Sequence, residues 1–236
     1  MQLGIASLAL IVAFAVRRWL APPLTLPRAQ RIGLAIGALI GAAVGAKAPF
    51  LLDDLEATYD GTVWITDGRT LTWGLVGGYL GVELTKRILG VRARTGDSFA
   101  PAVAASIALG RIGCFVGGCC YGAESSLPWA VDFGDGVHRH PTQLYESAFH
   151  ALAFLGLLAL GRRGLFEHHR MKLYAIAYFA YRFVTEWIRP EPRGVLGLTF
   201  YQWSALVFLT LFAVHWWLDA RALRAERTSP SSSPAV

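Results

Sequence analysis

Seven apolar stretches punctuate the chain, near residues 3–16, 32–52, 72–85, 98–120, 142–161, 171–188 and 198–218. A helix needs about 20 apolar residues to cross the hydrocarbon core of a bilayer. Lipid offers no partner to a backbone N–H or C=O, so a segment spans as a helix or not at all unless it closes a barrel. Runs of this length and number therefore point to an all-α membrane protein with about seven transmembrane helices. The third stretch is short and the first begins almost at Met1, which leaves room for partial or re-entrant segments there. Composition agrees: 54% of the 236 residues are hydrophobic and 16% charged, against about a quarter charged in soluble domains.

The formal net charge of +6 raises the question of a nucleic-acid partner, and its distribution answers it. Arg17, Arg18, Arg28 and Arg31 follow the first stretch, and the next connection is acidic, with Asp53, Asp54, Glu56, Asp60 and Asp67. Lys86, Arg87, Arg92 and Arg94 come next, then Glu124, Asp132 and Asp135 with Arg139 among them. Arg162, Arg163, Arg170 and Lys172 follow the fifth stretch, and the tail carries Arg221, Arg224 and Arg227. Basic connections alternating with acidic or mixed ones are the positive-inside pattern. It predicts an N-terminus outside, a C-terminus inside, and no nucleic acid. The arginines after the first stretch, with none before it, predict a retained anchor and not a cleaved signal peptide. One polytopic membrane domain is expected over 1–220, followed by a Ser/Pro-rich disordered cytoplasmic tail over 221–236.

Gly33, Gly37, Gly41 and Gly45 recur every four residues in the second stretch, and Gly74, Gly77, Gly78 and Gly81 repeat the idea in the third. This spacing lines one helix face with glycine and predicts close packing of neighbouring backbones. Trp187, Trp203, Trp216 and Trp217 sit near span ends, where an interfacial belt places them.

Charges inside apolar spans are costly and mark function. Arg111 lies in the fourth stretch. Tyr178, Arg182 and Glu186 stack at i, i+4 and i+8 in the sixth, with Arg189 near the same stripe. Gln143, Glu146 and His150 share a face at the start of the fifth, with Arg139 and His140 at its entrance. On the predicted topology all of these reach one depth, near the outer leaflet. Two readings follow. Arg182 with Glu186 and Arg111 with Glu146 are ion pairs that hold the bundle together, or the groups wall a pocket for an anion. A permanently charged, forked guanidinium suits phosphate, and phosphate at that depth is most simply a phospholipid headgroup.

The motifs "GRIG" with its Gly-rich turn and "YG", "RHPTQLYES", "YFAYRFVTEWIRPEP" and "FYQWSAL" resemble, in order and spacing, signatures of the prolipoprotein diacylglyceryl transferases. The resemblance covers about Lys47 to Gln202. It implies transfer of a diacylglyceryl group from phosphatidylglycerol to the lipobox cysteine of a prolipoprotein, at the outer face of the bacterial inner (plasma) membrane, with release of glycerol phosphate. The implied partners are a phospholipid and the prolipoprotein signal peptide, and no cofactor is implied. Arg111 and Arg182 match the family's two essential arginines, Tyr178 a neighbouring tyrosine and Gly122 the glycine that closes the central signature. The chain also departs from the pattern. Trp73 stands where the family places a histidine favoured as general base, Cys114 replaces an asparagine and Cys119 a glutamate, and Leu3 falls where an N-terminal tyrosine is usual.

The resulting assignment makes Arg111 and Arg182 the phosphate-holding catalytic residues and His140 or Glu146 the base that deprotonates the acceptor thiol. Arg139, Gln143, Tyr178, Glu186 and Gly122 are expected around the substrate. Cys114, Cys119 and Cys120 are the whole cysteine content, and their C-x4-C-C spacing leaves several readings open. They are buried hydrophobes, a Cys114–Cys119 disulfide in an oxidising compartment, or thiols made reactive by Arg111. Metal binding with His138 or His140 nearby is a further reading, but the spacing lacks the C-x2-C signature of a metal site, and no metal is assigned. A membrane protein that binds or transports a small thiophilic or anionic solute through its Cys/Arg cluster is the alternative function.

Overall fold

A computed structural model describes residues 2–20, 25–53, 55–64 and 68–228. Its helices are α1 (Gln2–Trp19), α2 (Arg28–Asp53), α3 (Leu55–Tyr59), α4 (Leu71–Ile88), α5 (Gly96–Val116), α6 (Thr142–Arg162), α7 (Arg170–Thr185) and α8 (Phe200–Thr228). The seven apolar stretches fall on the long helices α1, α2 and α4–α8. Among the described residues, four segments are both long and apolar enough to cross a membrane: Arg28–Leu51, Gly96–Val116, Thr142–Arg162 and Phe200–Ala225. Helix α4 carries Glu83, Lys86 and Arg87 in its last turns, and α7 is only 16 residues long.

The polar residues of α7 face protein: Tyr178 and Arg182 are buried. Tyr174, Ala175, Tyr178 and Phe179 are buried, and they meet Leu75 of α4, Ala100 and Ala104 of α5, Leu157 of α6 and Phe208 and Phe212 of α8. A helix face enclosed by protein need not match a hydrocarbon solvent and can carry Arg182, while Val184 on another face of α7 is exposed. The outer helices do the reverse. Ile36, Leu39 and Ile40 of α2, Leu152 and Leu155 of α6 and Val207 and Leu211 of α8 are exposed, as expected for side chains facing lipid tails.

Helix α2 packs on α4, α5 lies between α1 and α6, and α7 pairs with α8. The glycine strips of α2 and α4 face each other. A Cβ on Gly41 would meet the Gly77 carbonyl oxygen at 2.3 Å, and a Cβ on Gly77 would meet that of Gly41 at 2.2 Å. Any larger residue forces the two backbones apart.

Three boundaries differ from expectation. The fourth stretch, expected to reach residue 120, stops at Val116, because Gly117 caps it and Gly118 turns the chain at φ 64°. The sixth closes in a tight turn over Glu186–Ile188. The last helix runs on through Thr228, eight residues past the boundary at 220; the rest of the expected tail, 229–236, lies outside the described residues.

Between α5 and α6 the chain forms a small hairpin of β1 (Val131–Asp132) and β2 (His138–Arg139), antiparallel, with Val131 opposite Arg139. Asp132 closes its turn by accepting hydrogen bonds from the backbone N–H groups of Gly134, Asp135 and Gly136. This connection and the first turns of α4, α6 and α8 share one end of the bundle with the last turns of α5 and α7. Arg17, Lys86, Arg162, Arg170, Lys172 and Arg221 belong to the other end, where Arg170 pairs with Asp97 at 3.6 Å and Lys172 with Asp219.

Candidate active site

A cavity of about 260 Å³ opens at the hairpin end of the bundle. Four arginines line it, Arg69, Arg111, Arg182 and Arg189, with Thr72, Cys120, Glu146, Tyr178, Glu191 and Tyr201 among their neighbours. Each comes from a helix end or the turn beside one. Arg69 precedes α4, Arg111 is in the penultimate turn of α5, Glu146 in the first turns of α6, Tyr178 and Arg182 in the last turns of α7, and Arg189 just beyond.

Glu146 is the hub. It is 2% exposed. Its Oε2 lies 2.7 Å from Arg111 Nη2 and 3.1 Å from Arg189 Nη2, and its Oε1 accepts a hydrogen bond from the Tyr178 hydroxyl at 2.8 Å. Arg182 Nη2 lies 2.8 Å from Glu186 Oε2, and Glu186 Oε1 accepts a hydrogen bond from Thr199 at 3.1 Å. Both ion pairs anticipated from sequence are therefore present, with Arg189 a second cation on Glu146. Yet the pairs do not exhaust the arginines. Among the described residues Arg111 Nε has no hydrogen-bond partner, and its Nη2 approaches Glu146 off the line a hydrogen bond takes. A buried donor left without a partner costs about 1–3 kcal/mol. The arrangement combines holding pairs with a cavity lined by four arginines.

Several expected site residues face elsewhere. His140 is half-buried outside the cavity, its Nδ1 3.4 Å from the Tyr145 hydroxyl. Arg139 pairs with Asp135 at 2.7 Å and stacks over the Tyr121 ring; that guanidinium holds the Asp135 carboxyl low, at about 2. Gln143 donates to the Cys119 carbonyl at 2.6 Å. Gly122 is a packing position, since a Cβ there would meet the Ile188 carbonyl oxygen at 2.6 Å and the His140 Cβ at 2.7 Å. These residues shape the wall behind the cavity. His150 lies deeper, Nδ1 2.8 Å from the Tyr174 hydroxyl and its ring 4.9 Å from that of Tyr178. Trp73 faces α8, stacked on Phe200 and donating to Ser204 Oγ at 3.1 Å.

Arg69 escaped the sequence reading. Its signal was a lone base between an acidic connection and the third apolar stretch, and nothing in the helical spacing tied it to Arg111.

Cys114 lies in the last turn of α5, its Sγ 3.7 Å from Arg111 Nη1. Cys119 and Cys120 follow on the glycine turn, and no disulfide joins any of the three. The Cys114–Cys119 disulfide reading is thus not what the structure contains. A hydrogen bond from Cys114, reinforced by the Arg111 and Arg189 guanidiniums against the opposing desolvation, lowers the Cys120 thiol below the usual thiol range. Desolvation pushes the Cys119 thiol up.

Comparison with known proteins follows the same residues. The family described as prolipoprotein diacylglyceryl transferase matches residues 3–218. The phosphatidylglycerol–prolipoprotein diacylglyceryl transferase of Clostridium tetani is 31% identical over 191 residues, 77% of this chain and 75% of its own length. The enzyme of the same name from Leptothrix cholodnii is 30% identical over 211 residues, 80% of this chain and 75% of its own. A second such transferase from Clostridium perfringens is 33% identical over 154 residues, and the match spans 58% of that relative.

Proposed function

The chain belongs to the prolipoprotein diacylglyceryl transferase family, and we propose that it moves a diacylglyceryl group from phosphatidylglycerol to a cysteine thiol of a prolipoprotein at the arginine-lined cavity. The observation that carries this assignment is the convergence of Arg69, Arg111, Arg182 and Arg189 on one cavity. The lipid phosphate takes the donors that Glu146 and Glu186 leave unused. In the transfer the acceptor sulfur bonds to the glyceryl carbon while that carbon's bond to the phosphate oxygen breaks. Negative charge grows on the departing glycerol phosphate, and the guanidiniums are already aimed at it, so little reorganisation is needed. The thiol proton leaves to a base.

Of the two bases considered, Glu146 is the one on the cavity. Two arginines and Tyr178 hold its carboxylate, so its role is to position Arg111 and Arg189. His140 reaches the cavity only if it turns away from Tyr145. The solute-binding alternative draws no support from the relatives, which are named as transferases.

The same reading sets the orientation. The end rich in Arg17, Lys86, Arg162, Arg170 and Arg221 faces the cytoplasm under the positive-inside rule. The cavity then opens at the outer leaflet of the bacterial inner membrane, where a prolipoprotein presents its signal peptide. Purified protein mixed with phosphatidylglycerol and a lipobox peptide tests the proposal. Mass spectrometry should find the diacylglyceryl thioether on the peptide cysteine, with an equal amount of glycerol phosphate released. Release of glycerol phosphate without thioether would make the chain a lipid hydrolase instead.

A further inference from the structure

Cys114, Cys119 and Cys120 have no part in the transfer as written, but their arrangement is built. The three Sγ atoms lie within 4.8 Å of one another. The backbone brings them together through a turn that a random pairing would not hold. Gly118 and Cys120 both adopt the left-handed region, at φ 64° and 60°, which for a non-glycine residue carries strain. The strained turn is pinned on both sides. The Cys119 N–H donates to the Cys114 carbonyl at 3.1 Å. From α6, Thr142 Oγ1 donates to the Cys120 carbonyl at 2.8 Å and Gln143 Nε2 to the Cys119 carbonyl at 2.6 Å. Two residues of the motif "RHPTQLYES" thus spend their side chains on fixing the cysteine turn.

We propose that the three thiols form a binding site for one thiophilic d10 metal ion, Zn2+ or Cu+, at the rim of the arginine cavity. Metal–sulfur bonds of about 2.3 Å in a planar three-sulfur site place the sulfurs about 4 Å apart. The observed separations close to that value when each sulfur moves by about half an ångström, the motion of a side-chain rotamer and not of the backbone. An all-sulfur donor set selects soft or borderline ions over Mg2+ and Ca2+, which require oxygen. Charge also fits. Three thiolates around a divalent ion leave one negative charge, and Arg111 Nη1, 3.7 Å from Cys114 Sγ, is placed to donate to it from outside the ligand set. Cys120 lines the cavity itself, so an ion held there borders the space assigned to the lipid phosphate.

The test uses the full chain in detergent, reduced and stripped with a chelator under anaerobic conditions, with no lipid or acceptor present, so its outcome is independent of the transferase assignment. Zn2+ or Cd2+ is then added. The expected result is one ion per chain by elemental analysis, a sulfur-to-Cd2+ charge-transfer band, and three thiols masked from alkylation. The band should vanish in the variant carrying Cys114→Ser, Cys119→Ser and Cys120→Ser. X-ray absorption of the Zn2+-loaded wild type gives a reading that does not depend on how the variant folds, and should show three sulfur neighbours at about 2.3 Å. Three reactive thiols with no bound ion would overturn the proposal. So would a disulfide with one thiol left over, or an absorption spectrum dominated by nitrogen and oxygen neighbours.

Discussion

Arg182 and Arg111 are both paired with carboxylates, but not in the same way. Arg182 sits one turn before Glu186, while Arg111 shares Glu146 with Arg189 and keeps Nε unpartnered. Removing either guanidinium takes away a fixed charge aimed at the leaving phosphate, and Arg111→Ala or Arg182→Ala should each lower the transfer rate by about 10²–10³-fold. Lysine at either position should recover only part of it, since an ammonium lacks the fork. Steady-state transfer to a lipobox peptide measures both. Glu146→Ala should act on stability instead. It leaves two buried arginines facing each other, a loss of about 3–5 kcal/mol, visible as a lower melting temperature in detergent; an unchanged melt would mean that Glu146 does not hold them. The lowered Cys120 thiol makes a prediction with a definite sign. A thiolate persists at every pH above the lowered value, so alkylation of Cys120 in the metal-free protein should be nearly flat from neutral pH upward, where an ordinary thiol of pKa about 8.5 still rises. A rate that climbs steeply through pH 8 would contradict it. At this scale the sequence was legible where helical spacing alone decides. Tyr178 and Arg182 share the cavity at i, i+4 spacing, together with Arg111 and Glu146. Gln143, His140 and Arg139 belong to a face that the 117–140 connection covers, and only a folded loop reveals that.

The helices themselves were legible because lipid imposes one rule on every exposed face. The burial of α7 was legible only indirectly, through polar residues that would be intolerable against lipid. The hairpin was not legible at all, since two strands of two residues each are too short to leave a pattern of alternation. The contact between the α2 and α4 glycine strips gives the sharpest prediction for an element. Gly41→Leu or Gly77→Leu puts a side chain where a carbonyl already stands at 2.3 or 2.2 Å. The helices must separate, and overpacking of this kind costs about 1–3 kcal/mol or more. Gly156 of α6 is the control, with nothing within 4 Å of a Cβ there. Gly156→Ala should melt like the wild type, and a Gly41→Leu variant equally stable would show that the strips do not touch.

Across the whole molecule, a second group of basic residues lies at the end opposite the arginine cavity. Arg17, Lys86, Arg162, Arg170, Lys172 and Arg221 mark one end, and the arginine cavity and the cysteine turn mark the other. On the proposed orientation the cysteines lie outside. A membrane-impermeant maleimide should label Cys119 or Cys120, both exposed, in intact spheroplasts, and labelling only after lysis would invert the topology. The central claim is that this cavity performs the family's transfer, and replacement of the enzyme in a living cell tests it most directly. Bacteria depleted of their own diacylglyceryl transferase should receive either this chain or its Arg182→Ala variant, each confirmed in the membrane, with a reporter lipoprotein followed by gel shift and mass spectrometry. The account predicts diacylglyceryl on the lipobox cysteine with the wild type and little or none with Arg182→Ala. Equal modification by both, or none by either, would contradict it.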